Sequence, residues 1–171
     1  GNTDGVFQLE SAGMKQVLLG LKPKSIEDII AVISLYRPGP MDSIPRYLEI
    51  RNAPHKIKYK TSLLEPILSD TFGCIVYQEQ VMQIVRDLAG YSWGRSDLVR
   101  RAMSKKKHDV MAKEREYFID GIVEDGEVKV PGAVRNGVSR EVANKIFDEM
   151  MDFASYAFNK SHAAAYAVLA Y

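Results

Sequence analysis

A mainly helical fold with little strand is the class these 171 residues predict. In segment after segment, apolar residues recur at i, i+3, i+4 and i+7, the spacing that lines one face of an α-helix. Two Ser-x-x-acid boxes, S-I-E-D from Ser25 and S-L-L-E from Ser62, mark helix starts. Pro38, Pro40 and Gly90 stand where periodic stretches end. No period of twenty to fifty residues repeats, which excludes a solenoid.

Each element follows from local chemistry. F-Q-L-E-S at 7–11 sets Gln8 and Ser11 where they can cap or anchor a helix. Ile26, Ile29, Ile30 and Ile33 form a stripe that predicts a helix to about Tyr36. The prolines of Y-R-P-G-P stop it, because proline lacks a donor and pushes its predecessor out of the helical region. Residues 37–61, with Pro45 and Pro54, read as irregular with one short helix. The box at Ser62 predicts another short helix ending before Gly73, followed by C-I-V-Y as a strand-like or buried extended run. Residues 77–89 carry Val81, Ile84, Val85 and Leu88 on one face, and Gly90 ends that helix. The next begins near Arg95 and is expected to turn Leu98, Val99, Ala102 and Met103 inward; a further one covers about 108–123. Residues 124–138 alternate around two glycine-containing turns, the pattern of a small hairpin at most, or of a loop. Ser139 caps a helix to about Phe153, and the last begins near Ser161. That final pattern reaches Tyr171 with no Gly, Asn or Pro, which reads as a cut through a continuing helix.

Composition bounds the function. A net charge of +1 points to no partner, so any nucleic-acid argument rests on local clustering. One cysteine, Cys74, can form neither an internal disulfide nor a cysteine zinc site, which fits a reducing, cytoplasmic setting. No signal-like opening or membrane-length apolar run is present. Phosphate loops, dinucleotide loops and H-E-x-x-H are absent, and His55, His108 and His162 lack metal-ligand spacing. No catalytic residue and no metal site is read from this chain.

Two polar clusters remain. Residues 94–115 hold Arg95, Arg100, Arg101, Lys105, Lys106, Lys107, Lys113 and Arg115 against three acids, Asp97, Asp109 and Glu114. Arg101 and Lys105 share a helical face and are expected to project from a helix anchored by Leu98 and Ala102 on the other side. Such a row suits phosphates and equally suits a solvated face. N-K-S-H at 159–162 offers Asn159 or Ser161 as a helix cap with Lys160 alongside, a generic anion site, or simply a cap, a solvated lysine and a packed His162. Tyr166 lies four residues on and shares the His162 face. Glu79 in Y-Q-E-Q reads as an ion-pairing residue ahead of a general base, and Arg37 as a helix C-terminal partner ahead of a phosphate ligand.

Together GVFQLES (5–11), EDIIAVISLYRPGP (27–40), GCIVYQEQVMQI (73–84), LVRRAMSKKK (98–107) and FNKSHAAAYAVLAY (158–171) resemble the fingers region of C-family DNA polymerases, the bacterial replicative polymerase III alpha subunits. The resemblance spans the chain. It implies an irregular helical fingers domain over 1–171 that helps bind the incoming deoxynucleoside triphosphate and the primer-template. The palm, with its polymerising carboxylates and magnesium, would lie upstream, leaving this segment inactive alone and free of cofactor. A sliding clamp and other replisome subunits would be partners of the whole enzyme. Arg100, Arg101, Lys105, Lys106 and Lys107 match the family's basic helix; Asn159, Lys160, Ser161 and His162 match its polar turn beside the nucleotide. Tyr166 matches the aromatic near the incoming base, and Arg37 matches R-P-G-P. Ser104 stands where the family commonly has Gly, and 124–138 is longer than the family pattern, a surface excursion. The rival readings are a free-standing helical nucleic-acid-binding module and an interaction domain whose basic face only solubilises it.

Overall fold

A computed structural model describes residues 2–105, 108–154 and 156–171. Its elements, among the described residues, are α1 (Ala12–Leu21), α2 (Ile26–Leu35), α3 (Ile44–Asn52), α4 (Glu65–Leu68), α5 (Gln78–Ala89), α6 (Trp93–Ser104), α7 (His108–Asp120), β1 (Ile122–Glu124), β2 (Glu127–Val130), α8 (Arg140–Ala154) and α9 (Lys160–Ala170). Mainly helical is the observed class, and the hairpin between β1 and β2 is the one sheet among these residues. Asp125 and Gly126, both at positive φ, form its turn, the D-G chemistry that hairpins favour.

Two apolar cores divide the molecule. In the first, α1, α2, α3 and α9 surround Met14, Leu18, Ile30, Val32, Leu35 and Tyr47. α2 buries nearly every residue, and the alanines Ala163 and Ala167 let α9 pack closely upon it, both fully buried. Asp28 and Arg51 fasten α2 to α3: the guanidinium donates through Nε (3.2 Å) and Nη2 (2.8 Å) to the two carboxylate oxygens. Ser25 Oγ caps α2 by accepting from Asp28 N, while Asp28 accepts from the Lys24 N–H at 2.8 Å, one residue before the cap, in place of a full reciprocal bond to Ser25 N. Burial works against the charged form of Asp28. The Arg51 bond, the Lys24 and Ser25 contacts and the Arg51 charge outweigh it and hold the carboxyl below its ordinary value.

The second core is built on α5, whose Val81, Ile84, Val85 and Leu88 are fully enclosed by α4, α6, α7, α8 and the hairpin. Phe118 and Phe147 meet there at 5.6 Å between centroids. Gly121 and Gly132 approach so closely that a Cβ on either would strike the other segment's backbone. C-I-V-Y threads between the cores: Cys74 and Val76 turn into the first and Ile75 into the second. Alternation along an extended chain thus explains an uninterrupted apolar run, because both faces are buried. A pocket of about 200 Å³ opens at this seam, lined by Ser43, Arg46, Cys74, Glu149, Asp152 and Phe153 among others. Burial pushes the Cys74 thiol up, with Arg46 opposing and Glu149 reinforcing.

Several expectations are corrected. Ser62 does not cap α4; it lies inside a 3-10 turn, Ser62–Leu64, with no side-chain cap bond. α6 starts earlier than Arg95, because Ser92 Oγ takes the Arg95 N–H at 3.2 Å. The small hairpin forms, from Ile122 to Val130, but 124–138 is no surface excursion: 131–138 is irregular chain against α5 and α7, with Ala133 and Val138 buried in the second core. The inward face of α6 is Ser96, Val99 and Met103, whereas Leu98 is 67% exposed. Leu98, Arg101, Ala102 and Lys105 are themselves spaced i, i+3, i+4, i+7, so Leu98 belongs to the outward stripe it was expected to oppose.

Candidate functional site

On α6, Asp97 sits one turn before two arginines and meets both. Arg100 donates to Asp97 Oδ1 from Nε (3.1 Å) and Nη2 (2.7 Å); Arg101 Nε lies 2.8 Å from Oδ2. These bonds, that from Arg100 foremost, hold the Asp97 carboxyl below its ordinary value. The arginines differ in exposure. Arg100 is 22% exposed and also donates from Nη1 to Gln78 Oε1 at 3.0 Å, whereas Arg101 is 64% exposed. Arg101 and Lys105 flank a shallow groove lined by Leu98, Ala102 and Val110 of α7. Lys106 and Lys107 lie outside the described residues.

At 158–162 the cap is Asn159, whose Oδ1 accepts the His162 N–H at 2.8 Å. Ser161 stands exposed in the first turn and does not cap. Of the two readings, an anion site or a cap, the donors at this helix start go to an internal carboxylate: Glu79 accepts from Lys160 N at 3.2 Å and from Asn159 Nδ2 at 3.1 Å. Lys160 Nζ lies 3.2 Å from Glu27 Oε2 and 5.3 Å above the Tyr77 ring. Phe158, His162 and Tyr166 stack edge-on in succession, at 5.3 Å and 4.8 Å between centroids, and Phe7 joins Tyr166 at 5.2 Å. An aromatic ladder thus runs up this face of α9.

Arg37 is committed to the framework. Its Nε donates to the Ser34 carbonyl at 3.0 Å, Nη2 to the Tyr156 carbonyl at 2.6 Å, and its guanidinium lies 4.2 Å over the Phe158 ring. The helix-end role is the observed one, and the same side chain anchors the turn that leads into α9. Gly39 completes R-P-G-P at φ 99°, where a Cβ would meet the Tyr156 ring at 2.6 Å.

The clusters converge on the first turn of α5. Gln78 N donates to the Phe158 carbonyl at 2.9 Å, and Phe158 N to the Val76 carbonyl at 3.2 Å, pairing the 76–78 run with the approach to α9. Gln78 holds Arg100 and Glu79 holds Asn159 and the Lys160 backbone. Sequence reasoning passed over Gln78 as an organiser and counted Asp97 only as a diluting charge. The Asp97-x-x-Arg100-Arg101 spacing was a usable signal; the α5 to α9 contact, some eighty residues apart, left none. Chemically the arrangement presents oriented cations beside aromatic faces. Among the described residues no His, Cys, Asp or Glu group of three or more could hold a metal ion.

Comparison with known proteins fits this picture. The family described as bacterial DNA polymerase III alpha subunit finger domain matches residues 1–126. Over all 171 residues the chain is 52% identical to DNA polymerase III subunit alpha of Halalkalibacterium halodurans. It is 50% identical to that of Chlamydia trachomatis and 47% to that of Staphylococcus aureus. In each case the whole chain aligns, yet it spans only 14%, 13% and 15% of those relatives' lengths.

Proposed function

Because the chain belongs to the bacterial DNA polymerase III alpha subunit finger domain family, we propose that it helps a DNA-directed DNA polymerase hold the incoming deoxynucleoside triphosphate and the primer-template. The observation that carries this reading is the convergence of Arg100 of α6 and of Asn159 and Lys160 at the start of α9 upon the first turn of α5, with Arg101 held beside Arg100 by Asp97. Asp97 pre-orients two guanidinium groups, so a phosphate oxygen meets donors whose rotamer entropy is already spent. Tyr166 and His162 offer faces on which a base stacks whatever its identity. Arg37 acts by holding the turn rather than by touching phosphate.

Nucleotidyl transfer belongs, in this reading, to the longer polypeptide, whose palm carboxylates lie outside this chain and hold magnesium; no step is assigned to a metal here. Its partners are primer-template DNA, the palm, a sliding clamp and other replisome subunits, in the cytoplasm. Among the described residues no helix is long and apolar enough to cross a membrane.

Arg101→Ala in the full-length polymerase tests the reading. A charge-assisted contact contributes about 1.5–3 kcal/mol, so KM for nucleotide should rise about tenfold to a hundredfold with folding intact. Unchanged KM and kcat in both Arg100→Ala and Arg101→Ala would overturn it. The open stripe of Leu98, Arg101 and Lys105 favours a second reading, a free-standing nucleic-acid-binding module. For that module, tight sequence-specific binding by the isolated chain is the expected result. Non-specific contact with about four phosphates of a single strand would instead give a log–log salt slope of roughly −3.

A further inference from the structure

We infer that Gln78 and Glu79 are positioning residues for nucleotide binding, a bracket that fixes Arg100, and through their shared partner Asp97 its neighbour Arg101, relative to the α9 face. This rests on reading those cations and that face as the nucleotide contacts. The bracket has a rigid base, because α5 buries Val81, Ile84, Val85 and Leu88 completely, starting two residues beyond Glu79. From that base two consecutive side chains reach different segments: Gln78 Oε1 takes Arg100 Nη1 at 3.0 Å, and Glu79 Oε1 takes Asn159 Nδ2 at 3.1 Å and Lys160 N at 3.2 Å.

The two contacts complete what local bonds leave open: Asp97 takes Arg100 Nε and Nη2, and Gln78 takes the remaining Nη1. The first N–H of a helix has no partner inside the helix. The cap oxygen of Asn159 is already taken by His162 N, which leaves Lys160 N to Glu79. Gln78 ties its own N–H to the Phe158 carbonyl, so the same residue spans from α6 to the turn before α9. Function requires this separation to be held, since a displacement of about 1 Å in a binding constellation can cost a hundredfold. Glu79 Oε1 makes the Asn159 bond, and both carboxylate oxygens lie 3.2 Å from Lys160 N. A glutamine at 79 with its carbonyl in the Oε1 place keeps both Oε1 bonds, removing the charge and the second, Oε2 contact to Lys160 N.

The test is steady-state kinetics of the full-length polymerase that carries this segment, with thermal unfolding recorded for every variant. Glu79→Ala should raise KM for deoxynucleoside triphosphate about tenfold while kcat falls less than twofold, and Glu79→Gln should restore KM to within about twofold of the parent. Wild-type KM in Glu79→Ala, alongside a raised KM in Arg101→Ala, overturns the bracket and leaves the functional reading intact. Wild-type KM in both overturns the reading itself. A KM lowered by Glu79→Gln overturns the bracket too, because the carboxylate would then be competing with phosphate. Should Glu79→Ala not fold, Gln78→Ala decides: a raised KM supports the bracket and an unchanged KM overturns it.

Discussion

The two cores solve the same problem with opposite materials. Around α2 the first core encloses a charge: Asp28 is 4% exposed and answered by Arg51. Beside the second core the buried polar group is a neutral amide, Gln80, whose Oε1 accepts from Val76 N (2.9 Å) and Tyr77 N (3.0 Å). Its Nε2 donates to the Ile67 carbonyl and Thr71 Oγ1. A buried ion pair is strong only while both partners are charged, whereas an amide network does not titrate. The first core should therefore feel acid and the second should not.

The largest expected effect breaks the neutral network. Gln80→Leu strands two buried N–H groups and should cost about 4 kcal/mol at every pH where the chain is folded, measured by denaturant unfolding. Arg51→Met leaves Asp28 buried and unpaired and should cost about 3 kcal/mol near neutrality. The acid response sharpens the contrast. Asp28 has a folded value below its unfolded one, so its stabilisation is complete above the ordinary carboxylate value. It drains away as pH falls below about 4. In that range the penalty of Arg51→Met should shrink while that of Gln80→Leu stays constant. Hydrogen exchange should show α2 amides losing protection before α5 amides.

Smaller effects probe how each side is packed. Ala167→Leu forces a large side chain into the α2–α9 contact, where Ala167 is fully buried, and should cost about 2 kcal/mol. Asn159→Ala removes the α9 cap and should cost about 1 kcal/mol by the same measurement.

The stripe residues of α5 and the S-I-E-D box were legible because their information is local: periodicity and capping need only a few neighbours. Leu98 was misplaced because a basic helix with few apolar residues offers two stripes, and the Ser96, Val99 and Met103 set won by packing chiefly on α5, with α7 and α8 beside it. The site shows the same division. Arg100, Arg101, Asn159 and Lys160 were found as clusters; Asp97 orients the arginines within one helix, but Asn159 and Lys160 are arranged by a contact between α5 and α9 that no window of sequence contains. Likewise an anion site was one of two readings because a helix start implies free donors, and the carboxylate that takes them comes from Glu79.

Cys74 sits where the two cores meet, with its thiol enclosed and shifted toward the protonated form. Thiolate is the reactive species, so burial slows alkylation of a thiol that the seam pocket reaches. The chain thus carries its own clock: with one cysteine in 171 residues, the labelling rate of native protein reads how freely that pocket admits a reagent. Any ligand that braces α3 against α8 should slow that clock without touching sulfur.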